Sequence, residues 1–213
     1  MSRQRAIALA LVCAGAGLLA GCSGGAVSGS PTGASSTAAP TTATSSTSSG
    51  SVVPKVQNPL SPSALDGSPC DSALTVQQVT AFIGTSDAPI RNDAADTGPA
   101  CDWHSSSGIS GQISVYYDTK AGGGLGPLYQ NTKPQASRWE PTQLQGYPAV
   151  AYSTKNFDQS STGMCLVDVG IRDDLSFGVA LTLGDSARKR GMDSCDGATN
   201  VANTVLTNLK GRS

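Results

Sequence analysis

Alternating apolar and polar residues predict a series of β-strands in the second half of the chain. A side-chain period of two is typical of a strand with one buried face. The candidate strands are residues 100–104, 109–117, 149–153, 165–171 and 175–183. Asp173 and Asp174 lie between the last two runs and predict a turn. These two strands should therefore form an antiparallel hairpin.

Helical patterns lie on either side of the strands. Thr75 and Gln78 have the spacing of a capping box and Gly84 is a stop signal, which predicts a helix over residues 75–83. Apolar residues spaced for one helical face predict a closing helix of about four turns. They are Ala198, Val201, Ala202, Val205, Leu206 and Leu209. A further short helix is expected around residues 125–132. This order of elements predicts an α+β fold, with the N-terminal and C-terminal helices packed on an antiparallel sheet of about four to six strands.

The N-terminus has the pattern of an export signal. Arg3 and Arg5 precede an apolar run over residues 6–20, which is too short to span a bilayer comfortably. The run ends in Leu19-Ala20-Gly21-Cys22, which resembles the bacterial lipobox. We expect residues 1–21 to be a lipoprotein signal peptide and Cys22 to carry the lipid that anchors the protein on the extracytoplasmic face of the cell membrane. Ordinary signal cleavage and an uncleaved anchor are the alternatives.

A long polar segment follows the lipobox. Serine, threonine, glycine, alanine and proline dominate it, and no charged residue occurs between positions 6 and 54. Such a composition cannot bury enough apolar surface to offset its ordering entropy. Residues 22–66 are therefore expected to form a disordered tether, with an O-glycosylated stalk as the alternative. Residues 67–213 are expected to form a single extracytoplasmic domain.

Composition and charge narrow the classes of function. Lys and Arg number 14 against 15 Asp and Glu, so the net charge of -1 disfavours a nucleic-acid binder. His104 is the only histidine and Glu140 the only glutamate. Acid–base catalysis and histidine metal sites therefore have few residues available. We expect no catalytic residues, no metal and no cofactor.

Four cysteines remain once Cys13 in the signal and Cys22 are set aside. They are Cys70, Cys101, Cys165 and Cys195. An even number in an exported domain predicts two disulfides, for which three pairings exist. We favour the sequential pairs Cys70–Cys101 and Cys165–Cys195. A four-cysteine zinc site is the alternative, but the Cys-x-x-Cys spacing that it usually needs does not occur.

Several short sequence motifs lie at or between these cysteines and can be compared with those of known families. They are Pro69-Cys70, Cys101-Asp102-Trp103, Gly146-Tyr147-Pro148-Ala149, Cys165-x-Val167 and Cys195 before an amphipathic helix. Together with the lipobox they resemble the actinobacterial lipoprotein family called domain of unknown function 3558, over most of residues 60–210. The resemblance implies export, lipidation and an α+β domain, and it brings no catalytic residues. The layout is more distantly similar to extracytoplasmic sensor domains of actinobacterial kinases.

Two groups of residues suggest catalysis or ion binding. His104 precedes Ser105-Ser106-Ser107, which would suit a hydrolase, but no Gly-x-Ser-x-Gly motif is present. Asp173 and Asp174, with Asp168 nearby, could attract calcium, but their spacing is not that of a calcium-binding loop. A loop histidine and a hairpin turn are the simpler interpretations.

The glycine-rich stretch at residues 121–126 invites comparison with a phosphate-binding loop. It lacks the Lys-Ser/Thr that such a loop needs, and Pro127 follows it. A surface loop, which could form the lip of a cleft, is the simpler interpretation.

Aromatic residues are scarce, so those near the motifs are candidates for a binding surface. We take Trp139, Tyr117 and His104 as the candidate surface, with core packing as the alternative. The function that we expect is a non-enzymatic, membrane-anchored module that binds a small ligand or another envelope protein. A cell-envelope hydrolase using His104 with a nearby Ser and Asp is the alternative.

Overall fold

A seven-stranded antiparallel sheet organises the part of the chain that the computed structural model describes, which is residues 52–94, 96–107, 111–156 and 163–212. The strands are β1 (Ile90–Ala94), β2 (Gly98–His104), β3 (Gly111–Asp118), β4 (Ala136–Leu144), β5 (Tyr147–Thr154), β6 (Met164–Gly170) and β7 (Ser176–Leu183). They lie in the order β1-β2-β3-β7-β6-β5-β4. The expected β6–β7 hairpin is present, with Val167 opposite Val179. The α+β class is confirmed.

Helices cover one face of this sheet. They are α1 (Pro69–Ser72), α2 (Val76–Ile83) and α4 (Ser194–Lys210), while the short helix α3 (Asp185–Lys189) buries no residue. The predicted capping box starts α2, since the Gln78 N–H donates to Thr75 Oγ1 and the Thr75 N–H donates to Gln78 Oε1. The main core lies between the helices and the sheet. It includes Val79 of α2, Tyr117 of β3 and Phe177 of β7, all buried.

The amphipathic helix α4 supplies the largest part of the helical layer. All six residues of its predicted apolar stripe are fully buried. A Cβ atom added at Gly197 would lie 2.5 Å from Leu181 Cδ2, so the absence of a side chain lets the first turn of α4 approach β7 closely. Asp193 caps the helix, because one carboxylate oxygen accepts from the backbone N–H groups of Cys195 and Asp196.

Asp193 also joins α4 to the edge strand β4. Arg138 Nη1 lies 2.8 Å from Asp193 Oδ2 and Arg138 Nε lies 2.9 Å from Glu140 Oε1. Asp193→Ala removes both the cap and the contact with Arg138, so we expect it to lower the free energy of unfolding by about 2 kcal/mol in urea denaturation. Asp196→Ala is the control, because Asp196 lies in the same turn with an exposed side chain, and this variant should cost less than about 1 kcal/mol. Equal losses in the two variants would contradict this role.

Both edge strands were missing from the sequence prediction, which is why the sheet exceeds the expected four to six strands. Every residue of β1 is exposed, and in β4 only Leu144 is buried. A strand without a buried face shows no apolar alternation, so nothing in the sequence marked it. The short helix expected around residues 125–132 is a π-helical turn at Leu128–Thr132, followed by a 3-10 turn at Lys133–Gln135.

Two disulfides fasten the helical layer to the sheet. Cys70 of α1 is bonded to Cys101 of β2, and Cys165 of β6 is bonded to Cys195 of α4. These are the pairs favoured from the sequence. Each bridge therefore joins a helix to a strand that lies about 30 residues away along the chain.

The ordered domain begins earlier than the boundary predicted at residue 67. A 3-10 turn at Pro62–Leu65 buries Ala64 and Leu65, and Leu60 is only 9% exposed. The Leu60 N–H donates to the Ile171 carbonyl at 3.1 Å, and Lys55 Nζ lies 3.1 Å from Asp173 Oδ2. The prediction of disorder up to residue 66 is therefore wrong for this stretch, because isolated apolar residues such as Leu60 supply anchors that composition did not reveal.

The export signal, Cys22 and the polar segment up to residue 51 lie outside the described residues. Within residues 52–212, where the structure describes them, no helix is long and apolar enough to cross a bilayer.

Candidate ligand-binding site

A cavity of about 220 Å³ lies on the sheet face opposite the helices. The segment from the glycine-rich stretch to the π-helical turn folds over strands β3, β7, β6 and β5 to form it. The lining residues are Tyr116, Asp118, Gly124, Leu125, Pro127, Leu128, Asn131, Thr132, Tyr152, Asp168 and Ser176. The cavity thus combines an apolar wall from the covering segment with a polar floor from the sheet.

Strand register places the floor residues side by side. In the sheet, Gly178 of β7 lies directly opposite Tyr116 of β3 on one side and Asp168 of β6 on the other. Because Gly178 has no side chain, the Tyr116 ring lies across it and reaches β6. The Tyr116 hydroxyl lies 2.8 Å from Asp168 Oδ1 and 3.0 Å from Asp168 Oδ2. Tyr152 of β5 lies in the same cavity lining and acts on Asp168 from the other side, where its hydroxyl lowers the pKa of the carboxyl group.

Asp168 is a buried carboxyl group with a perturbed acidity. It is only 6% exposed, and burial raises its pKa to about 6, while the hydrogen bonds from Tyr116 and Tyr152 oppose the rise. In turn, burial and the neighbouring Asp168 raise the pKa of both tyrosines. At neutral pH the floor of the cavity therefore carries an ionised carboxylate held by uncharged hydroxyl groups.

A second carboxyl group, Asp118, lies at the end of β3 on the same side of the sheet. Burial raises the pKa of Asp118, and the polar groups of the Ala121 backbone and the Ser176 side chain partly oppose this rise. Asp118 Oδ1 is buried and has no hydrogen-bond partner among the described residues. Such an oxygen carries an unmet desolvation cost. The cavity therefore contains an acceptor that the described part of the protein does not satisfy.

A small aromatic cluster supports the covering segment. Tyr129 meets Trp139 edge-on with 5.1 Å between ring centroids, and Trp139 lies 5.9 Å from Tyr152. Lys133 Nζ lies over the Tyr129 and Trp139 rings at 5.4 and 5.9 Å. Such contacts are worth about 0.5–1.5 kcal/mol each beyond the area that they bury. They hold the π-helical turn against β4 and β5 and so fix one wall of the cavity.

The lining determines what the cavity can take. No lysine or arginine lines it, the floor presents carboxylate and hydroxyl groups, and Asn131 adds an amide at the rim. An anionic ligand would meet repulsion there, whereas a hydrogen-bond donor would meet acceptors. No group of three or more potential ligand residues for a metal ion occurs among the described residues. The arrangement therefore suits a donor-rich organic group.

A neighbouring cavity of about 210 Å³ lies between residues 53–56 and the glycine-rich stretch. Its charged groups are already engaged in ion pairs, since Lys55 pairs with Asp173 and Arg172 pairs with Asp174. The Asp168 cavity is therefore the better candidate site.

Gly178 offers a direct test of how the floor is built. A Cβ atom added at this position would overlap the Tyr116 ring. Gly178→Ala should therefore displace Tyr116, break its hydrogen bond to Asp168 and lower the free energy of unfolding by about 1–3 kcal/mol. Gly126→Ala is the control, because a Cβ there meets nothing within 4 Å. Chemical denaturation with NMR of the tyrosine rings measures both effects, and an unmoved Tyr116 in Gly178→Ala would contradict this geometry.

The candidate surface proposed from the sequence does not exist as one surface. Tyr117 is 0% exposed and belongs to the core on the helical side, where its hydroxyl lies 2.8 Å from Ser72 Oγ. It alternates with Tyr116 along β3, so the two tyrosines point to opposite faces. Choosing Tyr117 was wrong, because the sequence did not show which face the helices cover.

His104 and Trp139 lie near opposite edges of the sheet, on the same face. His104 ends β2 and pairs with Gln112, whereas Trp139 is on β4, five strands further along the sheet. At about 4.8 Å per strand they are separated by roughly 24 Å. Neither residue lines the Asp168 cavity, although Trp139 supports its wall. Trp139 Nε1 is buried without a hydrogen-bond partner among the described residues.

The residues at the floor of the cavity were not predicted from the sequence, whereas part of its rim was. Gly124 and Leu125 of the glycine-rich stretch do line it, in keeping with the cleft lip that was considered. Asp168 was noted only as a possible calcium ligand. A charged residue in the apolar strand sequence Cys165-Leu166-Val167-Asp168-Val169 was the available signal.

The protein is thus defined by its structure as a disulfide-bonded α+β domain with a polar cavity on the open face of its sheet. Its sequence matches the family described as "Protein of unknown function (DUF3558)" over residues 17–208, which is most of the chain. The protein belongs to this family, as the motifs around its cysteines indicated. Neither the comparison with curated proteins nor the comparison with solved structures gave a match.

Proposed function

We propose that the protein is a lipid-anchored, extracytoplasmic binding protein whose ligand occupies the Asp168 cavity. The observation that carries the proposal is a buried carboxylate at the floor of a cavity, which Tyr116 reaches across Gly178 and which Tyr152 flanks from the next strand. Burying a carboxylate without a cation costs stability, and groups of this kind concentrate at functional sites. Packing alone would be better served by an apolar residue at position 168.

The proposed location is supported by the sequence and the disulfides. The lipobox at residues 19–22 follows a basic start and an apolar run, and both bridges suit an oxidising compartment. A lipid on Cys22 would hold the domain at the membrane surface, since two or more acyl chains give stable anchoring.

Membrane attachment is tested by Cys22→Ser. The protein with Cys22 intact should sediment with membranes, and the Cys22→Ser variant should appear in the soluble or secreted fraction. Cys13→Ser, which changes a cysteine inside the apolar run, is the matched control and should leave the distribution unchanged. Membrane retention of Cys22→Ser would show that the anchor is not at this residue.

Ligand binding is tested with a variant that fills the cavity. Asn131 is exposed and lies at the rim, so Asn131→Trp should occlude the opening without disturbing the core. A thermal-shift screen of small envelope constituents against the full-length protein should yield compounds that stabilise the unmodified protein but not Asn131→Trp. Compounds that stabilise both proteins equally, or none that stabilise either, would contradict the proposed site.

The hydrolase alternative stays a prediction. It required His104 in a cavity beside a serine and an aspartate, and the residues that line the Asp168 cavity do not include His104.

A further inference from the structure

The two carboxyl groups of the cavity have no cationic partner in the described part of the chain. Six ion pairs occur there, and neither Asp118 nor Asp168 takes part in any of them. Asp168 is nine-tenths buried and is held only by tyrosine hydroxyl groups. Buried charges in proteins are normally paired. The missing partner points to a cation supplied from outside.

The surroundings favour an organic cation over a metal ion. Two aromatic rings, Tyr116 and Tyr152, flank Asp168, and Leu125 and Leu128 supply an apolar wall. Aromatic faces attract ammonium groups, and apolar walls favour the carbon atoms attached to them. The described residues lack the cluster of ligands that a metal ion would need.

Size limits the ligand to a small group. The cavity volume of about 220 Å³ lies below the range of roughly 300–1,000 Å³ that holds drug-sized molecules. One sugar ring or a short amine fits this volume, or the cavity takes the end group of something larger.

We propose that the cavity binds an organic ammonium group, with Asp168 as its counter-ion and the free oxygen of Asp118 as a hydrogen-bond acceptor. This inference rests on the proposed binding function and names the chemistry of its ligand. An amino sugar and the amine of a lipid headgroup both carry such a group.

Calorimetric titration of the full-length protein tests the inference with two amines and their neutral counterparts. Glucosamine is compared with glucose, and ethanolamine with ethylene glycol. The amine that binds more tightly shows whether the ammonium group comes from an amino sugar or from a lipid headgroup. At least one amine should bind, and its neutral counterpart should bind at least tenfold more weakly. Calcium chloride should compete no better than sodium chloride at equal ionic strength.

Matched variants separate the site from general acidity. Asp168→Asn should weaken amine binding at least tenfold, and Asp118→Asn should weaken it by a smaller factor. Asp102→Asn removes the same charge from β2 outside the cavity, and it should change the affinity less than twofold. Equal losses in Asp168→Asn and Asp102→Asn would show nonspecific attraction and overturn the inference.

Failure of this inference is distinguishable from failure of the proposed function. If glucose binds as well as glucosamine and Asn131→Trp abolishes both, the cavity is a binding site but the ammonium inference is wrong. If calcium displaces the amines through Asp168, the ligand class is also wrong. If no probe binds in a way that Asn131→Trp prevents, both proposals fall.

Discussion

Replacing Cys165 and Cys195 together by alanine is expected to lower the free energy of unfolding by about 3–4 kcal/mol. The bridge closes a chain segment of 30 residues, so its loss enlarges the unfolded ensemble. Both half-cystines are buried, and the bond ties the first turn of α4 to the interior strand β6. Urea denaturation followed by circular dichroism measures the loss.

The second bridge provides the comparison. Cys70–Cys101 closes a segment of nearly equal length, 31 residues, but it holds the short helix α1, and Cys70 is only partly buried. The entropic cost of its removal should be similar, while the packing around α4 should survive. A loss below about 1 kcal/mol for the Cys165–Cys195 pair would contradict its role as the main link between the helical layer and the sheet.

Asp168→Asn is expected to stabilise the protein at neutral pH by about 1–3 kcal/mol. The folded-state pKa of Asp168 is raised from its ordinary value of 3.8 to about 6, and one unit corresponds to about 1.4 kcal/mol. The folded protein therefore binds this proton more tightly than the unfolded chain does. Its contribution to stability is full below pH 3.8 and falls as the pH rises towards about 6.

The pH dependence separates this effect from a general change in packing. The difference in unfolding free energy between Asp168→Asn and the unmodified protein should grow as the pH is raised from 4 to 7 and then level off. Asp102→Asn, the same substitution at a partly exposed position of β2 outside the cavity, should change the free energy of unfolding by less than about 0.5 kcal/mol. A destabilised Asp168→Asn at pH 7 would mean that the carboxylate strengthens the fold.

Such a gain in stability would be informative about function. Proteins keep destabilising groups where a site needs them, so removing the group commonly stabilises the fold and abolishes the activity. Asp168→Asn is expected to do both, through loss of the buried charge and loss of the counter-ion for the ligand.

The sequence predicted the parts of the fold in which one face is buried. The apolar stripe of α4, the capping box of α2 and the β6–β7 hairpin all have a single apolar side, and each occurs where the pattern indicated. The edge strands β1 and β4 have little burial and left no periodic signal. The packing of Leu60 was missed for a related reason, since one apolar residue in a polar segment has no period.

The cavity could not be predicted because it depends on register across the sheet. Tyr116, Gly178 and Asp168 lie on three strands and meet only because β7 lies between β3 and β6. The strand order also puts His104 and Trp139 far apart, because β2 and β4 lie near opposite edges of the sheet. Alternation alone tells which residues share a face of one strand, and not which strands are neighbours.

The acidity of Asp168 is the most direct test of the account. Carbon-detected NMR of the side-chain carboxyl groups, recorded from pH 3 to 8, should show one aspartate titrating near pH 6 that is absent from Asp168→Asn. Adding the amine that binds should move this titration to lower pH, because a cation favours the ionised form. A carboxyl group at position 168 that titrates near pH 4, and that no amine shifts, would contradict the account.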